Sequence, residues 1–332
     1  RHCTGPAGSG ATTSRIPRED RDMTKVQQGP RADFIWMNGE MVAWDEAKIH
    51  VLSHVIHYGS GVFEGCRVYE TPKGPAMLRM GDHTRRLIHS AKMLRMESPY
   101  SFDELMQAIR DTVHANKLKS CYVRPVIYRG LGPAGVNPLD NKVDAFIAVW
   151  PWGKYLGEEA LNEGVDVCIS SFRRMSPDTH LPMGKVAGNY VNSQYAKMEA
   201  VLNGFAEGIL LDASGNISEG SGENLFVVRD DTIYTPGFGN SILGGITRDC
   251  ILKLAAEKGI EVNVQPIPRE MLYVADEAFF TGTAAEVTPI RTVDRMPVGE
   301  GRRGPVTESL QKAYFDIIEG RVEDRFGWLE II

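Results

Sequence analysis

From residue 33 onward the chain alternates short apolar runs with turn residues. Phe34-Ile35-Trp36-Met37, then Asn38-Gly39, then Met41-Val42-Ala43-Trp44 reads as a hairpin, because Asn-Gly accepts the positive φ angles of a tight turn. The period then becomes helical. Residues 79–96 place Leu87, Ala91 and Leu94 on one stripe, and Ser101 caps a second helix with Leu105, Ile109 and Val113 on its apolar face. Residues 121–128 and 145–150 return to strand patterns. Mixed strands and helices over 33–151 predict a small α+β domain. Residues 152–164, which follow Pro151 and are polar, read as an interdomain loop. Beyond them, apolar runs at 165–170, 208–212, 224–228 and 277–281 alternate with helical segments at 192–203 and 247–258, the latter closed by Gly259. This half, 165–332, is expected to form a larger, β-rich α/β domain.

Residues 1–32 differ from the rest. They are rich in Gly, Ser, Thr, Pro, Arg and Asp and almost free of large apolar residues, so a flexible extension or processing remnant is expected, with Met23 a candidate natural start. Glu19, Asp20 and Asp22 argue against a transit peptide. A chain of 332 residues exceeds the roughly 250–300 at which single cores stop growing, which again gives two domains. A net charge of −6 excludes a nucleic-acid scaffold, and no apolar run reaches the ~20 residues of a membrane span. Five scattered cysteines without CxxC spacing predict reduced thiols and a cytoplasmic protein.

Two motifs fail on context. Gly130-Leu131-Gly132-Pro133-Ala134-Gly135 matches a dinucleotide fingerprint, but Pro133 and Pro138 forbid the helix that must open there, and Trp150 stands where an acid is needed. His50, His54 and His57 would align on a helix, yet Val51, Leu52, Val55 and Ile56 are β-formers and no nearby Cys or Asp completes a metal set. No metal is expected.

The chemistry concentrates elsewhere. Lys185 is flanked by Gly184 and Gly188 and followed by Tyr190, so its amine has an uncrowded site and a phenol close by. Thirty-four positions on, Glu219 lies in a Ser-Glu-Gly-Ser-Gly run. Gly244-Gly245-Ile246-Thr247 and Thr281-Gly282-Thr283-Ala284-Ala285 then offer clustered backbone N–H groups that suit phosphate or carboxylate. An amine, an acid and two anion nests are what pyridoxal 5′-phosphate requires.

These motifs, with Trp36–Glu40, His57–Gly65, Tyr122–Pro125 and Gly135–Pro138 in the same order, resemble a fold-type IV pyridoxal-phosphate aminotransferase, specifically the bacterial branched-chain amino acid family. The resemblance implies the two-domain fold shared with D-amino acid aminotransferases. It implies Lys185 as the Schiff-base lysine and proton shuttle, Glu219 on the ring nitrogen and Tyr190 on the phenolate oxygen. Leu243 joins the cofactor site, with Arg86, Ile246, Thr247 and Thr283 at the phosphate; Arg85 is the adjacent competitor for that role. It further implies a substrate wall of Phe63, Val136 and Trp152, with Tyr58, Tyr155 and Arg124 meeting a glutamate side chain and Tyr122, Thr283 and Ala284 the α-carboxylate. The expected assembly is a homodimer with shared sites or a hexamer, acting on small amino and 2-oxo acids. Transaminases for D-amino acids or amines, aminodeoxychorismate lyases and a non-catalytic binding protein of the same fold are the alternatives.

Overall fold

A computed structural model of the protein describes residues 31–152 and 158–332. The first half supplies strands β1 (Phe34–Met37), β2 (Glu40–Ala43), β3 (Gly61–Phe63), β4 (Cys66–Thr71), β5 (Gly74–Leu78), β6 (Cys121–Arg129) and β7 (Val143–Trp150). The second supplies β8 (Val165–Arg173), β9 (Glu207–Leu211), β10 (Ile217–Gly220), β11 (Asn224–Arg229), β12 (Thr232–Thr235), β13 (Val262–Val264), β14 (Glu277–Gly282), β15 (Glu286–Val293) and β16 (Met296–Pro297), before β17 (Leu329–Ile331) ends the chain. Helices are α1 (His54–Tyr58), α2 (Met80–Met93), α3 (Phe102–Ala115), α4 (Glu158–Glu163), α5 (Tyr190–Leu202), α6 (Ile246–Glu257) and α7 (Pro305–Ile318).

Among the described residues the strands join into two sheets. The first, ordered β17-β5-β4-β6-β7-β1-β2 with β3 beside β6, is antiparallel throughout. The second, ordered β10-β9-β8-β15-β14-β11-β12-β13 with β16 on β15, is mixed: β8 runs parallel to both β9 and β15. The chain passes from the first sheet to the second between Trp150 and Val165, and β17 alone returns. Part of the predicted 152–164 loop lies outside the described residues, and its end forms α4.

Burial explains the patterns. α2 and α3 lay Leu87, Ala91, Leu105, Ile109 and Val113 against Val68, Met77, Val123 and Ile147 of the first sheet. The second sheet is covered on both faces, so β11 alternates its apolar side chains between two cores. Phe226 and Val228 pack under α6 and α7, while Leu225 and Val227 face the opposite cluster with Ile209 and Phe280. That double burial makes 224–228 a continuous apolar run.

Two expectations are corrected. The helix predicted over 79–96 spans only 80–93, because Arg79 and Arg95 both adopt left-handed backbone (φ 49° and 54°), a reversal that non-glycine residues do not advertise. Val55 and Ile56, read as β-formers, lie in the short helix α1. By contrast α3 begins where its cap demands. The Ser101 hydroxyl accepts from the Glu104 N–H at 3.3 Å while the Glu104 carboxylate accepts from the Ser101 N–H at 2.7 Å. Ser101→Ala is expected to remove about 1 kcal/mol of stability. A lowered thermal midpoint with unchanged secondary-structure content checks this, and an unchanged midpoint refutes the cap's contribution.

Candidate active site

Lys185 is fastened to the first sheet before its amine does anything. Its carbonyl accepts from the Phe63 N–H at 3.1 Å, its N–H donates to Ser90 Oγ at 3.0 Å, and Val186 bridges Val62. Gly188 N–H donates to Gly59 O at 3.2 Å, and a Cβ added at Gly59 would fall 2.9 Å from the Gly188 Cα. Glycine at that crossing is a steric requirement, since Gly59 also holds φ at 66°. With the backbone held, Lys185 Nζ points into a cavity of about 310 Å³ and donates to Tyr190 Oη at 2.6 Å. The Phe63 ring, 4.9 Å from Nζ, borders the amine.

Glu219 faces the same cavity from β10, where a register irregularity between Ile217 and Glu219 re-aims the strand. Its carboxylate is buried and receives three donors: Arg174 at 2.7 Å, Asn224 Nδ2 at 3.0 Å and the Leu243 N–H at 3.0 Å. Burial pushes this carboxyl above its ordinary pKa, and the Arg174 charge and the Leu243 N–H oppose that rise. Asn224 Nδ2 also donates to Leu243 O at 2.9 Å. A Cβ on Gly245 would meet Asn224 Oδ1 at 1.8 Å. The acid and the nest at Gly244–Thr247 therefore form one packed unit.

That nest is the N-terminus of α6, with Gly245 as its cap and the unsatisfied N–H groups of Ile246 and Thr247 at the cavity. Arg86 enters beside it. The guanidinium forks onto Glu64 at 2.6 and 2.9 Å and donates through its remaining arm to Gly244 O at 2.7 Å. Burial alone would raise the Glu64 carboxyl, but Arg86 and His83 (2.7 Å) outweigh it and hold the group well below the usual carboxylate range. Arg85 turns away, pairing with Asp82 at 2.8 Å and covering the Phe102 ring. Thr283 and Ala284 border the cavity from the β14–β15 turn. Behind that turn, Glu286 is buried with left-handed backbone (φ 55°) and is held by Arg67 at 3.0 Å and Tyr69 at 3.1 Å.

The remaining wall divides. Phe63, Tyr122, Arg124 and Trp152 line the cavity. Tyr122 stacks against Trp150 and Trp152, and the Arg124 guanidinium lies 4.7 Å from the Phe63 ring centre and 5.3 Å from that of Tyr122. Tyr58 and Val136 line no part of it; they stand 51% and 79% exposed. Tyr155 lies outside the described residues. The histidines do not converge on a metal: His54 bonds Ser60 and Gly135 O, His57 bonds Val51 O, and His50 accepts from the Leu52 N–H. Gly130–Gly135 opens no helix.

Sequence reasoning missed Arg174, Glu64 and Asn224. Glu64, a lone acid between Phe63 and Gly65, carried a signal, but its partner lies 22 residues away; Arg174 gave none. The donor set fits pyridoxal phosphate. One amine paired with a phenol, one buried carboxylate and a helix N-terminus with an adjacent guanidinium surround a single cavity, and Thr281 Oγ1 is buried at its edge without a partner.

The amino-transferase class IV family matches residues 61–293. The branched-chain-amino-acid aminotransferase of Escherichia coli (strain K12) is 52% identical over 301 residues, covering 90% of this chain and 97% of that one. Its crystal structure superposes on this chain with a TM-score of 0.89, covering 90% of this chain and 99% of that one. A second branched-chain amino acid aminotransferase, from the source abbreviated T.th., has been solved with N-(5′-phosphopyridoxyl)-L-glutamate (TM-score 0.86, 46% identity, covering 91% of this chain and 99% of that one). It has also been solved with 4-methylvaleric acid (TM-score 0.87, with the same identity and coverage).

Arg174→Met strands the Glu219 carboxyl in the interior. A loss of about 3–5 kcal/mol in denaturant-induced unfolding is expected, of which Arg174→Lys should restore only part because a point charge cannot reproduce the planar guanidinium. A loss under about 1 kcal/mol would show that the pair contributes little.

Proposed function

The chain belongs to the class IV aminotransferases, and from that premise we propose that it transfers the amino group of leucine, isoleucine or valine to 2-oxoglutarate with pyridoxal phosphate, giving branched 2-oxo acids and L-glutamate. The observation that carries this reading is one cavity in which an amine–phenol pair, a buried acid and an aromatic-framed arginine face common space. The likeness to branched-chain enzymes over nine-tenths of the chain supports the substrate class.

Arg86, the N–H groups of Ile246 and Thr247, and Thr283 would hold the cofactor's phosphate. When bound, the cofactor supplies a carbonyl carbon for the amino group and a ring that accepts the electron pair left at Cα. Lys185 Nζ moves the proton at the substrate Cα, and Tyr190 Oη, 2.6 Å away, keeps the amine in place. Glu219 holds a proton on the ring nitrogen, a task for which its three donors fix both position and charge. Tyr122 with the Thr283 and Ala284 N–H groups grips the α-carboxylate, and Glu286 stiffens the turn that presents them.

The pocket must admit both an aliphatic and an anionic side chain. Among the described residues Arg124 pairs with no carboxylate, and its charge instead rests against aromatic faces. It therefore needs no counter-ion while leucine is bound, yet can receive the glutamate carboxylate. Tyr58 and Val136, exposed and outside their own cavity, suit a homodimer in which each subunit completes its partner's wall. Four described cysteines are buried and unbridged, which favours the cytoplasm. Among the described residues no helix is long and apolar enough to cross a membrane.

Absorbance of the purified holoenzyme tests the reaction. L-leucine should convert the cofactor band to that of the amino form while D-alanine leaves it unchanged, and Lys185→Ala should respond to neither. Conversion by D-alanine alone would replace this reading with a D-amino acid transaminase.

Arg124→Met is expected to raise KM for glutamate and 2-oxoglutarate by about 30-fold or more, the equivalent of about 2–5 kcal/mol for a buried carboxylate that loses its partner, with a much smaller change for leucine. Half-reaction kinetics for each amino acid decide it. Equal losses for both would assign Arg124 to the shared α-carboxylate.

A further inference from the structure

One buried acid of the cavity wall has no part in the chemistry above. Glu223 lies in the turn between β10 and β11, is buried and borders the cavity beside Gly222. Among the described residues its carboxyl accepts one hydrogen bond, from the Gly222 N–H at 3.0 Å. A Cβ added to Gly220 would fall 2.7 Å from its Oε2, so the group is packed directly under that backbone. The charged groups that face it are Glu207 on β9, Glu219 on β10 and Lys197 on α5.

The cations are committed elsewhere. Lys197 Nζ lies 2.9 Å from Glu207 Oε2 and donates to Ala206 O at 2.6 Å, while Glu219 is paired with Arg174 at 2.7 Å. Two of the three acids thus have a close cation, and the third has only a backbone N–H. A buried carboxyl in that position keeps its proton rather than ionise beside two negative neighbours.

We propose that Glu223 stands as the neutral acid through the physiological range, a positioning residue that leaves Glu219 as the ionised carboxylate of this wall and lets the Gly220–Gly222 turn close against it. Burial first, and the charge of Glu207 second, push the Glu223 carboxyl up to about 8. The folded chain then holds a proton that the unfolded chain releases at an ordinary glutamate pKa. Stability from this site accordingly falls as pH rises from that ordinary value toward about 8, and levels off above it.

Glu223→Gln keeps the shape of the neutral acid and removes the titration. The thermal midpoint of the wild-type holoenzyme is expected to fall between about pH 6 and about pH 8.5, and that of Glu223→Gln to fall by about half as much or less, with the variant the more stable at the upper end. Parallel profiles, or a variant less stable at every pH, overturn the proposal. A second measurement does not depend on how the variant packs. The infrared difference spectrum of the wild-type holoenzyme between the same pH values should lose a protonated-carboxyl band and gain a carboxylate band; a spectrum without that exchange overturns the proposal as well.

Discussion

Arg86 joins the two halves of the site. Two of its nitrogens are taken by Glu64, at the end of β3 in the first sheet, and a third by Gly244 O, immediately before α6 of the second. A fully buried carboxylate such as Glu64 is tolerable only if its charge is answered, and the bidentate fork together with His83 answers it. Once that triad is formed, the α6 N-terminus is drawn to the edge of the first sheet. The Lys185 segment, bonded to Phe63 and Ser90, is held against the same sheet, so amine and anion nest acquire a fixed spacing.

The same logic recurs wherever the cavity carries charge. Glu219 answers Arg174, Glu286 answers Arg67, and Glu207 answers Lys197, each through groups from different parts of the chain. Such pairs contribute little net stability compared with apolar packing, and breaking one costs far more than having made it gained. Their effect is to permit only one arrangement of the strands that carry them. The apolar cores on either side of β11 supply the driving force, and the buried pairs select the register.

How much of this was legible depended on the range of the interaction. Lys185 and Glu219 stood out because each lies among small residues with its local partners nearby in sequence, and the Gly244–Thr247 nest is written as a helix start. The caps at Ser101 and Gly259 were equally local. Arg174 and Glu64 were missed because each acts through a partner many residues away, a pairing that no periodicity encodes. The left-handed residues Arg79, Arg95 and Glu286 were invisible for another reason: tertiary contacts impose a conformation that their side chains do not favour. α1 was obscured by β-branched residues whose preference the local packing overrides.

Dual recognition is the demand that most constrains the wall chemistry. A pocket that binds both an aliphatic chain and a carboxylate cannot park a bare cation in it, because the cation would be unpaired in half of the catalytic cycle. A permanent acidic partner would be no better, since it would compete with the incoming glutamate. Aromatic faces solve this, for they attract a guanidinium without neutralising it. Phe63, Tyr122 and Trp150 surround Arg124 in that way, and the Tyr122–Trp150–Trp152 stack keeps the rings rigid. The aliphatic substrate then meets ring surface, the anionic one meets the guanidinium, and neither requires the wall to rearrange.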